Sequence, residues 1–394
     1  MVDSSERLVT GQRRRVVAAV ALMLVVGACT PAASSAPPAA SQAPESAPAS
    51  ASAAASTAPE SPAASQQGAE GLKLAALAHL RIPYTQQITD AAKFAADEAG
   101  ADLQVAGPEG VDQQAHIKAF NDAIAAGAEG VMTVAFLPDI WVRPIDDATD
   151  NGTLVYTFDI ASPESKEAVH VGPSNVDLGR SVAGALVDDI GADATGDVIV
   201  GICVPGNPVL ETRVQAFNDG LAELAPGLTP APAVDVTADP TENLSTWQQL
   251  IQTNPDAKAF VGFCAFDLAN LVKIKERTPD AAYAIYGTDL EPDTLRGIKE
   301  GVATQTFGQK PFMEGYMAST MMIDSLTGGP QYAGWVDVGV EKVDSSNIDD
   351  VIAREEAATS GDWETVKAAY QGEIDTILAA GQGGLKPLSE LAGP

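Results

Sequence analysis

The sequence predicts an α/β fold made of two doubly wound lobes, each built around a parallel sheet. Short apolar runs alternate with amphipathic segments of ten or more residues. This alternation is typical of parallel strands that are covered by helices on both faces. The pattern restarts at about residue 175, so the chain repeats one arrangement. The 394 residues also leave enough chain for two sizeable cores.

The first lobe begins at Leu72, where the composition changes from Ala, Ser and Pro to apolar runs. We predict strands at 73–78, 102–106, 130–135 and 153–158, and helices at 84–99, 112–126 and 141–151. The first of these helices has apolar residues at the spacing of one helical face, namely Ile88, Ala91, Ala92 and Ala95. Gly100 is suited to end it, because glycine accepts the left-handed conformation of a helix C-terminus.

The second lobe repeats this order of elements. We predict strands at 197–203, 233–236, 258–264, 282–286 and 303–307, and helices at 176–190, 209–225, 241–253, 266–277 and 292–300. A helix at 313–326, a strand at 335–340 and a last helix at 363–380 follow. We assign residues 71–173 and 310–334 to the N-terminal lobe, 174–309 and 335–352 to the C-terminal lobe, and 353–394 to a helical tail.

The N-terminus has the pattern of an export signal. Arg13, Arg14 and Arg15 precede an apolar run at 16–26, which ends in small residues before Cys29. This arrangement resembles a bacterial lipoprotein signal, which implies cleavage after residue 28, acylation of the Cys29 thiol and a lipid anchor outside the cell membrane. The alternative is a transmembrane anchor with an incidental cysteine, and the short apolar run disfavours it.

Residues 29–70 follow this signal and consist mainly of Ala, Ser and Pro. Because the segment lacks aromatic and branched aliphatic residues, it cannot bury enough apolar surface to fold. We therefore predict a disordered tether that lets the folded body stand away from the membrane.

The composition and the motifs argue against several classes of function. A net charge of -30 disfavours nucleic-acid binding, which requires a positive surface. The sequence contains no phosphate-binding loop, no dinucleotide-binding glycine motif and no nucleophile elbow. Its three histidines do not have the spacing of zinc ligands. We therefore expect no catalytic residues, no metal and no cofactor.

Polar and aromatic residues cluster where the predicted strands end. In open parallel sheets, ligands bind beyond the carboxyl ends of the strands. The residues at these positions are His79, Arg81, Tyr84, Phe136, Asp139, Phe158, Asp159, Asn207, Glu211, Asp239, Cys264, Asp267, Asp289 and Gln309. Carboxylates accept hydrogen bonds from hydroxyl groups, and aromatic faces pack on the C–H side of a sugar ring. The set therefore suits a small polyhydroxylated ligand.

A structural role is the alternative for each of these residues. Asp159 and Asp289 also suit helix caps, Tyr84 also suits the core, and Arg81 also suits a solvated rim.

Cys203 and Cys264 end the first and third strands of the second lobe. In a doubly wound sheet with the order 2-1-3-4-5, these strands are neighbours. The two thiols then lie within reach of a disulfide, which an exported protein can form. Two packed, unbridged cysteines are the alternative.

Residues 72–343 resemble the ribose/galactose-type periplasmic sugar-binding proteins, which are the type I substrate-binding components of ABC importers. The resemblance depends on phrases in a conserved order along the chain rather than on one motif. These phrases are Ile82-Pro83-Tyr84, Val155-Tyr156-Thr157-Phe158-Asp159, Gly172-Pro173-Ser174-Asn175, Pro205-Gly206 before Arg213-Val214-Gln215-Ala216-Phe217, Tyr286-Gly287-Thr288-Asp289, and Phe307-Gly308-Gln309 before Pro311. The resemblance implies that Tyr84 stacks on the sugar and that Asp159, Asp289 and Gln309 hydrogen-bond it.

The sequence departs from the family pattern at several cleft positions. An arginine is usual where Ile160 stands, and another is usual near Glu211. An asparagine is usual in place of Cys264, and a second aromatic residue in place of Thr85. Arg81 is our candidate for the missing positive charge. The candidate ligand-binding set is Arg81, Tyr84, Asp159, Glu211, Cys264, Asp289 and Gln309.

We expect two lobes joined by a multi-strand hinge that close on a sugar or polyol and deliver it to an ABC permease. A pentose, hexose, polyol or furanosyl signalling molecule each fits. We expect a monomer, lipid-anchored on the outside of the cell membrane. One alternative is a sensory receptor of the same fold. The other is an extracellular carbohydrate-active enzyme that uses Asp159 and Asp289 as a carboxylate pair.

Overall fold

The structure is a computed structural model, and it describes residues 68–391. The predicted signal peptide (1–28), the lipidation site Cys29 and the predicted tether up to residue 67 lie outside the described residues. The predicted end of the tether at residue 70 is too late, because Ala69 is buried in the core of the first lobe. Among the described residues, no helix has the length and apolar character needed to span a membrane.

Strands and helices alternate along the described chain. The first part contains β1 (Lys73–Leu77), α1 (Pro83–Ala99), β2 (Asp102–Ala106), α2 (Gln113–Ala125), β3 (Gly130–Thr133), α3 (Pro138–Asp150), β4 (Leu154–Phe158) and β5 (Val169–Gly172). The second part contains α4 (Asn175–Ile190), β6 (Gly196–Ile202), α5 (Pro208–Leu224), β7 (Leu228–Pro230), β8 (Val234–Asp235), α6 (Pro240–Thr253), β9 (Ala259–Gly262), α7 (Asp267–Lys275), β10 (Ala284–Tyr286), α8 (Pro292–Lys299) and β11 (Gln305–Gly308).

The chain ends with elements that return to both lobes. These are α9 (Pro311–Leu326), β12 (Gly334–Asp337), β13 (Glu341–Asp344), α10 (Ile348–Ser360), α11 (Trp363–Ala380) and two short 3-10 helices, Gly381–Gly384 and Leu388–Glu390. The predicted helix 363–380 is confirmed. The strands β5, β7 and β13 and the helix α10 are absent from the sequence prediction.

Each lobe is built around its own parallel sheet, which confirms the predicted fold class. The first sheet has the strand order β12-β5-β4-β3-β1-β2, and all of its pairs are parallel. The second sheet has the order β10-β9-β6-β7, with β8 also paired to β6, and is parallel as well. β11 and β13 form a separate antiparallel pair. The carboxyl ends of the parallel strands in each sheet therefore share one edge.

The assignment of residues 335–352 to the second lobe differs from the observed topology at β12. This strand pairs with β5 and forms one edge of the first sheet. After β12 the chain returns to the second lobe at β13, which pairs with β11. The sequence prediction failed here because β5 was not recognised, so the first sheet had no visible partner for β12.

The helices α1 and α9 cover the first sheet in close contact. The apolar residues predicted for the buried face of α1 are all buried, and Gly100 ends the helix with a φ of 80°. Gly315 of α9 faces the backbone of α1, and a Cβ atom at this position would lie 1.8 Å from the carbonyl oxygen of Ile88. Only glycine allows the two helix backbones to approach this closely.

The C-terminal extension, residues 345–391, packs on both lobes. Ile348 and Val351 of α10 join the core of the second lobe. Tyr370 of α11 joins the core of the first lobe, where its ring stacks on Phe312 at a centroid distance of 5.9 Å. Arg354 of α10 connects the two helices, because its guanidinium lies 4.8 Å from the centre of the Tyr370 ring.

A substitution of Arg354 tests how strongly the contacts of this extension stabilise the protein. Its guanidinium donates to both carboxylate oxygens of Glu341 at 2.7 and 2.8 Å, and both side chains are largely buried. We expect Arg354→Ala to lower the free energy of unfolding by about 3 kcal/mol, because it leaves the Glu341 carboxylate without its partner. Urea denaturation measures this change.

The matched control is Lys299→Ala. Lys299 of α8 pairs with Asp349 of α10, the helix that carries Arg354, but both side chains are exposed. Such pairs contribute less than about 1 kcal/mol. Equal losses for the two variants would contradict the role assigned to Arg354.

Candidate ligand-binding site between the two lobes

A cavity of about 140 Å³ lies between the two lobes, at the carboxyl ends of their strands. Its lining includes Tyr84 and Asp159 from the first lobe and Cys264 and Asp289 from the second. Gln309, in the segment that crosses between the lobes, also lines it. These five members of the predicted set are therefore brought together.

Asp159 and Asp289 occupy equivalent positions in the two lobes. Asp159 follows β4 and Asp289 lies three residues after β10, and both side chains are buried. Their φ angles are 62° and 72°, in the left-handed region that non-glycine residues rarely adopt. Such strain concentrates at functional sites, where it orients a side chain that regular strand geometry would direct elsewhere. Neither aspartate caps a helix in the structure.

Arg213 of α5 lies at the centre of the polar side chains and was missing from the predicted set. It lines the cavity and is buried. Its Nε atom donates to Asn175 Oδ1 at 2.7 Å, and its Nη2 atom donates to Gln309 Oε1. Gln309 in turn donates through Nε2 to Asp289 Oδ1 at 2.6 Å. The expectation that this chain lacks an arginine near Glu211 is wrong, because Arg213 is that arginine.

Tyr84 connects two carboxyl groups through its hydroxyl. The hydroxyl oxygen lies 3.3 Å from Asp159 Oδ1 and 3.0 Å from Glu314 Oε1. Since a phenol has one hydrogen to donate, the second hydrogen bond requires a proton on one of the carboxyl groups. Burial, with the nearby charge of Asp159, raises the pKa of Glu314 well above its usual range. Because a raised pKa favours the protonated form of a carboxyl group, Glu314 is suited to hold this proton.

Burial also raises the pKa values of the two cavity aspartates. The pKa of Asp159 rises to about 6, because desolvation outweighs the opposing effect of Arg213. The pKa of Asp289 is raised for the same reason, again against Arg213. Three buried carboxyl groups thus surround one guanidinium, and an ionised carboxylate without a partner is costly in a buried site.

Two residues of the predicted set lie outside the cavity. The side chain of Arg81 is 49% exposed and pairs with Glu109 at 3.5 Å, which is the solvated alternative considered for it. Glu211 is exposed, and its carboxylate accepts a hydrogen bond from the Gly206 backbone N–H at 2.9 Å. Neither side chain lines the cavity.

Cys203 and Cys264 are joined by a disulfide, with their Cα atoms 6.1 Å apart. The strands they follow, β6 and β9, are neighbours in the second sheet, as the sequence predicted. Both cysteines line the cavity, so Cys264 contributes a disulfide sulfur rather than a free thiol.

His79 is a further candidate contact. Its ring stacks on Phe136 at a centroid distance of 4.4 Å, and both residues line the cavity. Burial lowers the pKa of His79 to about 3, so the ring is neutral. Its Nδ1 atom is buried and has no hydrogen-bond partner among the described residues, so it is available to a ligand.

The lobes also touch across the cleft. The side chain of Asn207, at the start of α5, donates through Nδ2 to the carbonyl oxygen of Phe136 in the first lobe at 3.2 Å. Its Oδ1 atom accepts from the backbone N–H groups of Val209 and Leu210, which fixes the side chain at the helix N-terminus. Within the described part of the chain, no cluster of acidic, histidine or cysteine side chains is arranged to hold a metal ion.

The family model described as "Periplasmic binding protein domain" matches residues 76–330. The chain belongs to this family. The match covers both sheets, apart from β1's first residues and β12, and it ends before the C-terminal extension.

Two curated relatives of this periplasmic binding protein carry the names of sugar-binding proteins. The chain is 24% identical over 264 residues to the xylose/arabinose-binding protein of Sulfolobus acidocaldarius. This match covers 62% of the present chain and 64% of the relative. The chain is 26% identical over 185 residues to the ribose import binding protein of Bacillus subtilis, which covers 47% and 58%. The chain thus spans less than two thirds of the length of either relative.

Solved structures share the fold. A solute-binding protein of an ABC transporter from Burkholderia graminis, in complex with D-arabinose, is similar with a TM-score of 0.67 and 22% identity. This match covers 71% of the present chain and 97% of the other. A glucose-galactose binding protein from Geobacillus stearothermophilus has a TM-score of 0.64 and 24% identity, with 71% and 99% covered.

The raised pKa of Asp159 predicts a pH-dependent effect of Asp159→Asn on stability. The carboxyl group titrates at about 6 in the folded protein and near 3.8 when unfolded. The folded state therefore binds the extra proton, and the wild type loses stability as the pH rises from 4 to 6. Asparagine carries no such proton and tolerates the same backbone conformation.

We expect the stability of Asp159→Asn relative to wild type to increase by about 1–3 kcal/mol between pH 4 and pH 7.5. Urea denaturation of the ligand-free proteins at both pH values measures it. The control Asp256→Asn removes an exposed carboxylate and should show no such trend. A difference for Asp159→Asn that is flat or declines with pH would refute the assignment.

Proposed function

We propose that this protein captures a small sugar or polyol in the cavity between its lobes and delivers it to an ABC permease. The observation that carries the proposal is the pair of buried aspartates, Asp159 and Asp289, which face one cavity from opposite lobes beside Arg213. Carboxylates accept hydrogen bonds from hydroxyl groups, and a guanidinium donates to hydroxyl and ring oxygens. One ligand with hydroxyl groups on several sides can therefore bond to both lobes at once.

The relatives support a sugar as the ligand. The curated relatives are named for xylose, arabinose and ribose, and the solved structure from Burkholderia graminis holds D-arabinose. The aromatic residues Tyr84, Phe136 and His79 in the cavity wall provide faces on which the C–H side of a sugar ring packs.

Lobe closure is how such a protein reports that it is loaded. The ligand stabilises the closed arrangement because only that arrangement lets Asp159 and Asp289 contact it together. The hydrogen bond from Asn207 to the Phe136 carbonyl also stabilises the closed arrangement, because it joins the two lobes directly. The permease then recognises the closed protein, and the monomer is sufficient for this role.

The proposal includes a lipid anchor on Cys29, followed by the predicted tether. It follows from the sequence pattern that precedes the cysteine. An anchor of this kind keeps the receptor near its membrane partner.

The first test is the loss of ligand affinity in Asp289→Ala. A thermal-shift screen against pentoses, hexoses and polyols identifies a ligand, since one present at 100 times its Kd stabilises by about 2.7 kcal/mol. We expect calorimetry to show Asp289→Ala binding that ligand about 30-fold more weakly or worse, because buried hydroxyls and Gln309 lose their acceptor. Asp193→Ala, at an exposed aspartate outside the cavity, is the control and should bind normally.

Three results of this test bear on the proposal. An unchanged affinity of Asp289→Ala would remove this residue from the site. A screen in which no sugar or polyol binds would reject the proposed ligand class. Recovery of the intact sugar after incubation is expected for a receptor, whereas a converted sugar would indicate an enzyme.

The second test concerns the anchor. Cys29→Ser removes the thiol that would be acylated, so we expect the variant to appear in the medium rather than in the membrane fraction. Ser34→Ala, five residues further along the tether, should remain with the membrane. Immunoblotting of the medium and of the membrane fraction locates each variant. Retention of Cys29→Ser in the membrane fraction would argue against lipidation.

A further inference from the structure

We infer that the ligand carries an apolar group, as a deoxysugar or an O-methylated sugar does, and that this group lies at the mouth of the cavity. The inference depends on the proposed sugar-binding function and narrows its ligand class. It follows from the way the cavity separates its charged side chains from its apolar ones.

The charged and strongly polar groups occupy the base of the cavity. Arg213, Asp159, Asp289 and Gln309 are all buried, and they are connected through Arg213. From both lobes, these groups bond the hydroxyls on the inner part of a ligand.

The mouth of the cavity is apolar. It is formed by a set of side chains that we call the apolar rim, namely Val111, Val204, Val209, Leu210 and Phe266. All five are partly or fully exposed, and Val111 is 53% exposed. The rim combines residues of both lobes, so lobe closure brings its two halves together over the outer end of a ligand. Exposed apolar side chains grouped at a cleft mark a surface that a ligand or partner covers.

Further apolar groups line the cavity beside its charged base, namely the side chain of Ile160 and the disulfide. Ile160, the neighbour of Asp159, is buried and lines the cavity. The disulfide between Cys203 and Cys264 lines the part of the cavity wall that the second lobe contributes. Neither provides a strong hydrogen-bond donor or acceptor to a hydroxyl group.

The asparagine side chains in the lining are already committed to the protein. Asn243 donates to the Thr237 carbonyl and to Asp267, and its oxygen accepts from Asn270. Asn207 holds the α5 N-terminus and donates to the Phe136 carbonyl, as described above. Apart from Nδ1 of His79, which stacks on Phe136, the lining therefore offers a hydroxyl group on the outer end of a ligand mainly apolar side chains.

The consequence is discrimination between matched ligands. A hydroxyl enclosed by the apolar rim loses its water without a replacement partner, whereas a methyl group or bare carbon there gains from burial. The ligand with the apolar group should bind at least tenfold more tightly than its fully hydroxylated counterpart.

Calorimetry at pH 7.5 on the full chain tests this with four matched pairs. They are D-fucose and D-galactose, L-rhamnose and L-mannose, 6-deoxy-D-glucose and D-glucose, and methyl β-D-xyloside and D-xylose. We expect the tightest ligand to be a deoxy or methylated member, with at least tenfold preference over its partner. A tightest ligand that is fully hydroxylated would overturn the inference and leave sugar binding intact. If none of the eight sugars binds, the tightest ligand of the thermal-shift screen decides: a fully hydroxylated sugar or polyol would overturn the inference, and the absence of any sugar or polyol ligand would count against both proposals.

A rim variant ties the preference to these side chains. Leu210→Asn changes a partly exposed rim residue, and we expect it to reduce the preference within the best pair to threefold or less. Leu224→Asn is the matched control, since Leu224 ends the same helix, is exposed and lies outside the cavity lining. It should retain the full preference. An undiminished preference in Leu210→Asn would overturn the inference.

Discussion

The guanidinium of Arg213 connects parts of the cavity that are far apart in the sequence. It donates to Asn175 at the start of α4, to the Phe263 carbonyl after β9 and to Gln309 between the lobes. A buried guanidinium is tolerated only where its donors are satisfied and opposite charge is near. Asp159 and Asp289 supply that charge. The position of Arg213 therefore determines where both aspartates can be buried.

The cavity and its surroundings hold more acidic groups than basic ones. Among the residues that line the cavity, Arg213 is the one lysine or arginine, whereas Asp159, Asp289 and the adjoining Glu314 are all raised in pKa. Ionisation of these buried carboxyl groups costs stability, whereas the ionised carboxylate is the form that accepts hydrogen bonds from hydroxyl groups most strongly. Such a conflict between stability and function is expected at a ligand site.

The sequence predicted the elements that periodicity and strand ends reveal. Tyr84, Asp159, Asp289 and Gln309 were found because they follow strands whose carboxyl ends must share an edge. The same rule also selected Arg81 and Glu211, which do not line the cavity, because a position after a strand does not determine where a flexible side chain lies.

Arg213 and Glu314 were missed for a different reason. Each lies within a helix, at a point where the tertiary packing of that helix against a sheet decides its direction. A signal was nevertheless present for Arg213, because an arginine near Glu211 belongs to the pattern that the chain resembles. No comparable local signal marks Glu314, whose burial depends on the close contact between α9 and α1.

The C-terminal extension places a further constraint on how the lobes move. Lys310, between the lobes, donates to the Val338 carbonyl at 3.0 Å and pairs with Glu373 of α11 at 2.6 Å. Because α10 packs on the second lobe and α11 on the first, a change of lobe angle that preserves both contacts must bend the chain between these helices. Gly361 lies there with a φ of 78°, in a conformation that glycine adopts without strain. The junction of α10 and α11 therefore connects the two lobes in addition to the segments that cross between the sheets.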